Sequence, residues 1–339
     1  MPDEMPAPAA PPRAFSGSRL GWADLPRDVR DRIRTLAGAD VISETSATNG
    51  FSPGYAALVG LGDGTQVFVK AVSPDQNPQS PELARAEVIA AQHLPAGVPA
   101  PRLLWAHDDG HWVVLGLEAV EGRAPRIPWQ PDELALALQA LERLADVHGP
   151  GPGTLPDLGP VVARTAGGWA RLTDDGATVD RSGRAVGEHG AWMVENLDRF
   201  TDWAGSAPAA CVGSNLVHGD MRADNLILSP GPGRRLWMID WPHAATGGAP
   251  WYDLLTMLPS VAMQRGGDPQ EIFWRHAASR GADPDAVRSV LCAVTGYLVH
   301  ESTLPPPPGV ANLRPFQLAQ ARAALGWLRA VSPALRGPA

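Results

Sequence analysis

The sequence predicts an α+β protein of two lobes, a strand-rich N-terminal lobe followed by a helical C-terminal lobe, and three observations carry that expectation. Its 339 residues suffice for one large domain or two lobes with separate cores. "YAALVGLGDGTQVFVKAV" over 55–72 sets two β-prone runs on either side of Gly-Asp-Gly, a hairpin signature. After Gly122 short alternating runs give way to longer segments of helical periodicity.

Taken in order, residues 1–18 are rich in Pro and Ala, lack apolar periodicity, and are expected to form a disordered arm. Residues 19–120 then read as the N-terminal lobe. A helix is expected from Asp24 to Gly38, with Asp24 as cap, Pro26 in the first turn, and Val29, Ile33 and Leu36 on one face. The hairpin follows, with Lys70 near the end of its second strand. "SPELARAEVIAAQHL" (80–94) opens on Ser80 and Pro81 and reads as a helix carrying Glu87. Strands are expected at 103–107 and 111–120. Residues 123–339 form the helical lobe, with helices expected at 131–148, 190–205, 270–280, 284–300 and 314–331. The stretch from Gly149 to Gly190 gives weak signals, and the four prolines of 305–308 mark a rigid loop.

Composition narrows the function classes. Apolar residues make up 44% of the chain, with no run long enough for a membrane span and no signal-peptide pattern, so a cytoplasmic protein that is a monomer or homodimer is expected. The net charge of −8 disfavours nucleic acid as a partner and favours a cationic one among small-molecule substrates. Cys211 and Cys292 lack metal-ligand spacing and read as small buried hydrophobes. Of the 28 Lys and Arg residues, Lys70 is the sole lysine. A chain that uses arginine everywhere else has kept a compact ammonium at one position, where a broad guanidinium is not equivalent.

The densest polar motif is "HGDMRADN" (218–225), directly after the apolar run ending at Val217. Read alone it also suits a solvated turn, since Gly, Asp and Asn are turn formers. Its Asp220 and Asn225, however, stand in the D-x-x-x-x-N spacing of the protein-kinase catalytic loop, and "LWMIDW" presents Asp240 fifteen positions further on. Phosphoryl transfer needs metal-binding oxygens, a cation on the phosphates and a carboxylate for the attacking hydroxyl. Asn225 with Asp240, Lys70 with Glu87, and Asp220 offer these in order. His218 reads as a structural histidine shaping the loop and Asp224 as a turn aspartate.

At these residues the chain resembles the aminoglycoside phosphotransferase group, small-molecule kinases of protein-kinase-like fold. The resemblance runs from about residue 40 to 330 and rests on "VFVKAV", "ARAEVIAAQHL", "VVLGLEAVEG", "LVHGDMRADNLIL" and "MIDWPHAATGGAPWYDLL". It implies ATP (or GTP) and Mg²⁺ as cofactors, Asp220 as catalytic base, Asn225 and Asp240 as metal ligands, and Lys70 with Glu87 as phosphate anchor. It also implies a hinge about 117–122, with Glu118 and Val120 at the nucleotide, and a mainly structural Asp253. In place of a G-x-G-x-x-G loop, "TSATNGFSPGYAAL" (45–58) supplies Ser46, Asn49, Gly50 and Ser52 as nucleotide-positioning residues. Arg222 stands where members often carry a second histidine. The implied activity is O-phosphorylation of a small hydroxylated molecule, an aminoglycoside or other antibiotic; a metabolic kinase for choline, homoserine or a sugar, or a non-catalytic nucleotide-binding protein, are the alternatives.

Overall fold

The computed structural model describes residues 14–15, 19–151, 153–231 and 233–332. Most of the expected arm therefore lies outside the described residues. Of its remainder, Ala14 is buried and Phe15 bridges the backbone of Gly50.

The first helix, α1 (Arg27–Ala37), begins three residues later than the sequence suggests. Asp24 instead sits in a 3₁₀ turn and accepts the Gly21 N–H at 2.8 Å, while Pro26 caps the helix and Gly38 ends it in the left-handed conformation. Five antiparallel strands follow: β1 (Val41–Ser46), β2 (Tyr55–Leu61), β3 (Gln66–Val72), and, after α2 (Ser80–His93), β4 (Leu103–Asp108) and β5 (Val113–Glu118). They lie in the order β1-β2-β3-β5-β4. β1 is an addition to the expected set; it is an exposed polar edge strand, so the alternation that betrays a half-buried strand is missing.

Period-two alternation gives β3 two faces. Val67, Val69 and Ala71 pack under Val29 and Ile33 of α1, whereas Phe68 and Val72 share the opposite face with Ala84 and Val88 of α2. Lys70 belongs to that second face, opposite Leu115 of β5 in the sheet register. This places the lone lysine beneath α2, facing the other lobe.

The chain passes between lobes at residues 119–126. Arg123 exchanges two backbone hydrogen bonds with Leu228, at 3.2 and 2.8 Å, and Gly122 is obligatory because a Cβ there would lie 2.4 Å from the Leu228 carbonyl oxygen. The start of α3 (Pro131–Leu144) anchors this crossing: the fully buried Glu133 accepts from the Arg123 and Arg126 side chains and from the Arg126 N–H. The Arg123 hydrogen bond leads in holding that carboxyl down, to about 2.

The weakly signalled stretch after Gly149 folds into short helices, α4 (Leu158–Thr165), α5 (Gly168–Thr173) and α6 (Gly176–Ala185), each too brief to show a clear period. The single helix expected over 190–205 is two, α7 (Gly190–Glu195) and α8 (Leu197–Gly205), separated at Asn196. α9 (Ala207–Ala210) leads into two small hairpin-like pairs, β6 (Val212–Val217) with β9 (Ala245–Gly248) and β7 (Leu226–Leu228) with β8 (Leu236–Met238). Then come α10 (Tyr252–Met263), α11 (Pro269–Arg275), α12 (Pro284–Thr303) and α13 (Leu313–Ala330). α10 carries no amphipathic signal because nearly all of it is buried.

α12 forms the centre of the helical lobe, packed by α5, α8, α9 and α13. Gly168 and Gly296 let α5 and α12 touch backbone to backbone, and the buried Trp169 indole donates to the Cys292 carbonyl at 2.9 Å. Cys211 and Cys292 are free and fully buried, as expected. The proline loop reaches the first lobe, where the Pro308 carbonyl accepts from Asn77 at 3.2 Å. Among the described residues, no helix is long and apolar enough to cross a membrane.

Candidate active site

Two antiparallel pairs frame the site. β6 ends at Val217 and releases the 218–225 loop, which feeds β7; β8 ends at Met238 and releases Asp240. The loop and the Asp240 turn are stitched together by the Ile239 N–H, which donates to the Asn225 carbonyl at 3.0 Å.

Lys70 reaches across from β3. Its Nζ donates at 2.7 Å to both Glu87 carboxylate oxygens and at 2.7 Å to Asp240 Oδ1, with the lysine side chain only 15% exposed. Burial works against the ammonium, but Asp240 and Glu87 together outweigh it and keep the amine charged. Burial likewise opposes the Asp240 carboxylate, and Lys70 overturns it, holding Asp240 well below the usual carboxylate range. Asp240 occupies the left-handed region at φ 66°, a conformation costly for most residues but accessible to Asp. That backbone turn aims its carboxylate at the lysine.

The 218–225 loop is held from below. Asp253, in the first turn of α10, accepts the His218 N–H at 2.7 Å and the Gly219 N–H at 2.9 Å. Burial raises its carboxyl to about 6 against those two hydrogen bonds. His218 is fully buried: its Nδ1 accepts the Asp220 N–H at 3.3 Å, so the proton sits on Nε2, which donates to the Ile239 carbonyl at 3.0 Å. Burial lowers the imidazole to about 4, and the ring stays neutral. Gly219 takes φ 79°, and a Cβ there would lie 2.3 Å from the His243 carbonyl oxygen.

Asp220 therefore projects from a rigid support. Its backbone carbonyl accepts from Asn225 Nδ2 at 2.7 Å, and its Oδ2 faces the same nitrogen at 3.3 Å. The Arg222 guanidinium donates to Asp220 Oδ1 and forms a bidentate pair with Asp224 at 3.0 and 2.9 Å. Burial pushes the Asp220 carboxyl up, with Arg222 and His243 pulling the other way. Arg222 is itself covered by Phe51 and Phe316, with guanidinium-to-ring distances of 5.7 and 5.9 Å.

Of the residues singled out in the sequence, Lys70, Glu87 and Asp240 form one ion-paired cluster, and Asp220 and Asn225 lie together in the adjoining loop. Ser46 ends β1, and Asn49, Gly50 and Ser52 belong to the loop between β1 and β2, where Gly50 has φ 86°. Glu118 ends β5 and pairs with Arg102 at 3.0 Å; Val120 follows in the hinge. Asp224 lies in the 3₁₀ turn Ala223–Asn225, as its reading as a turn aspartate expects, and its carboxylate pairs with Arg222. The covering pair Phe51 and Phe316 was not anticipated, because residues so far apart in sequence leave no local signal.

The donor set suits a hard divalent cation shared with a phosphate chain. Asn225 spends its amide nitrogen on Asp220 and leaves Oδ1 without a partner, and Asp240 leaves Oδ2 likewise, among the described residues. No cluster of three or more His, Cys, Asp or Glu residues fit to enclose a metal occurs among the described residues. One carboxylate and one amide oxygen match the sparse protein ligation of Mg²⁺ at a nucleotide.

Similarity to known proteins follows the same residues. The family model described as APH, the phosphotransferase enzyme family, matches residues 49–290. The chain is 28% identical over 200 residues to acyl-CoA dehydrogenase family member 11 of Gallus gallus; that alignment covers 51% of this chain and 23% of the other, so the chain spans about a quarter of the length of this curated relative. A thermostable mutant of aminoglycoside phosphotransferase APH(4)-Ia, in ternary complex with ADP and hygromycin B, shares the fold at TM-score 0.57 and 16% identity over 92% of this chain and 100% of that one. Spectinomycin phosphotransferase APH(9)-Ia, in complex with ADP and spectinomycin, does so at TM-score 0.57 and 11% identity over 90% and 98%. An aminoglycoside phosphotransferase of Alicyclobacillus acidocaldarius matches at TM-score 0.53 and 12% identity over 93% and 98%. Because the matched stretch contains the lysine strand, its glutamate partner, the 218–225 loop and Asp240, the chain belongs to the APH phosphotransferase enzyme family.

Proposed function

We propose that this small-molecule kinase transfers the terminal phosphoryl group of ATP or GTP, with Mg²⁺, to a hydroxyl of a small polar molecule, an aminoglycoside or related antibiotic being the first class to try. Residues 19–120 act as the nucleotide lobe and 123–339 as the lobe that carries the catalytic loop and receives the acceptor. Support for the substrate class comes from the fold's occurrence in proteins solved with hygromycin B and spectinomycin. The observation that carries the chemistry is the junction of Lys70, Glu87 and Asp240 beside Asp220 and Asn225.

When bound, the nucleotide supplies the phosphoryl group and the metal neutralises its charge. Lys70, fixed by Glu87, directs its ammonium at the phosphates. Asn225 Oδ1 and Asp240 hold the metal. Asp220 orients the acceptor hydroxyl and takes its proton, and its raised carboxyl is a better proton acceptor than an exposed aspartate. The Asp253 and His218 hydrogen bonds keep that carboxylate in place, so positioning rather than covalent catalysis supplies most of the acceleration.

The test is a panel of aminoglycosides, other hydroxylated antibiotics, choline, homoserine and sugars, each incubated with ATP or GTP and Mg²⁺ and read by nucleoside diphosphate release. Asp220→Asn is run in parallel. Acceptor-dependent release by the native chain and its loss in the variant are expected. Nucleotide binding with identical background release from both proteins on every acceptor would favour a non-catalytic nucleotide-binding protein instead.

A further inference from the structure

Three cations gather around this site, and two are matched. Lys70 is held by Glu87 and Asp240, Arg222 by Asp220 and Asp224. The third, Arg19, comes from the segment ahead of α1 and has no carboxylate partner among the described residues. Its Nη2 donates to the Asn49 carbonyl, while its Nε is buried with no hydrogen-bond partner.

The backbone delivers this side chain to the loop that connects β1 and β2. Gly50 donates its N–H to the Ala14 carbonyl at 2.9 Å, Phe15 bridges Gly50, and Leu20 bridges Tyr55, so the incoming chain is fastened to the loop on both sides of Arg19. The guanidinium lies against Gly50, where an added Cβ would be 3.4 Å from Nη2. The next residue, Phe51, covers Arg222, which in turn grips Asp220. The loop tip is thus sandwiched between Arg19 and the catalytic loop. The Asp240 charge also reaches Arg19, offsetting part of the burial that lowers its pKa.

A cation drawn out of water without an anion is costly, and the usual remedy is an anionic partner. Here Nε and Nη1 keep their N–H groups and Nη2 keeps its second one, so the planar guanidinium fork retains one two-donor edge, shared with Nη2, that suits two phosphate oxygens at once. We propose that Arg19 is a phosphate-binding residue, closing the nucleotide's polyphosphate from the N-terminal side as Lys70 closes it from the sheet. This inference rests on the nucleotide reading above and adds to it a contact outside the stretch matched by the family model.

Calorimetric titration of the full chain tests it without turnover. The probes are whichever of AMP-PNP and GMP-PNP the native protein binds more tightly, with Mg²⁺, and the corresponding nucleoside, which has no phosphate. Arg19→Gln keeps a donor for the Asn49 carbonyl but loses the charge and the fork. It is expected to weaken analogue binding by roughly tenfold or more, as loss of a charged hydrogen bond does, with nucleoside affinity and melting temperature unchanged. Arg19→Lys, which keeps charge without the fork, should fall between. Equal loss on both probes would mean that Arg19 only shapes the loop and would overturn the proposal, as would unchanged or tighter analogue binding. A native chain that binds neither analogue removes the nucleotide reading itself, and this inference with it.

Discussion

Arg222 grips Asp220 and Asp224 at once, so the carboxylate assigned to the acceptor hydroxyl is held by a cation that has no other ionic partner among the described residues. Replacing it with Gln leaves two largely buried carboxylates uncompensated, which should destabilise the protein by about 3 kcal/mol at neutral pH. Acidification protonates Asp220, whose carboxyl burial already pushes up, so the deficit in a melting experiment should shrink from pH 7.5 to pH 5. Asp220, already raised by burial, rises further without the guanidinium. The acid limb of the kcat profile should therefore move to higher pH.

Lys70→Arg keeps the charge but sets a broad fork in a space where one ammonium meets three carboxylate oxygens at 2.7 Å. The variant should fold, with turnover reduced about 100-fold by displaced phosphates. Melting and diphosphate release measured on one preparation check this. Undiminished turnover would remove Lys70 from the phosphate site.

Asp240→Asn suits its position better than Ala, because Asn tolerates the left-handed backbone that Asp240 adopts. Mg²⁺ should tighten nucleotide binding to the native chain and have little effect on the variant, which has lost the anionic metal ligand. Titration with and without the metal decides it.

Asp253 carries a pH signature. Its folded pKa of about 6 lies above the ordinary aspartate value, so the folded state favours the protonated form and stability falls as pH rises through that window. Asp253→Asn removes this loss while leaving one of the His218 and Gly219 N–H groups without its acceptor, at a cost of about 1–3 kcal/mol. The variant should be less stable than the native chain at pH 4 and recover relative to it between pH 4 and pH 7. A constant difference across that range would contradict the raised pKa.

The residues that the fold brings together in the candidate site were legible from short spacings: Asp220 to Asn225 within one loop, Asp240 at the end of a strand, and a single lysine in an arginine-rich chain. The hairpin of β2 and β3 was legible from its Gly-Asp-Gly turn, and the helices α2, α12 and α13 from their helical period. β1 escaped because an exposed edge strand lacks alternation, and α10 because a helix buried on nearly every side lacks a polar face. The contacts of Arg19 with Asn49 and of Phe51 with Phe316 depend on the folded chain bringing distant segments together. Neither has a local pattern to read.

Asp220→Asn tests the central claim most directly, because it keeps the size of the side chain and removes the charge that accepts the hydroxyl proton. Turnover of the identified acceptor, nucleotide affinity with Mg²⁺ and melting temperature are measured on the same preparation. The expected result is near-native affinity and folding with turnover lower by about 10²–10⁴-fold, the usual loss for a positioned base. Native turnover per folded molecule would contradict it and return residues 218–225 to the role of a polar turn.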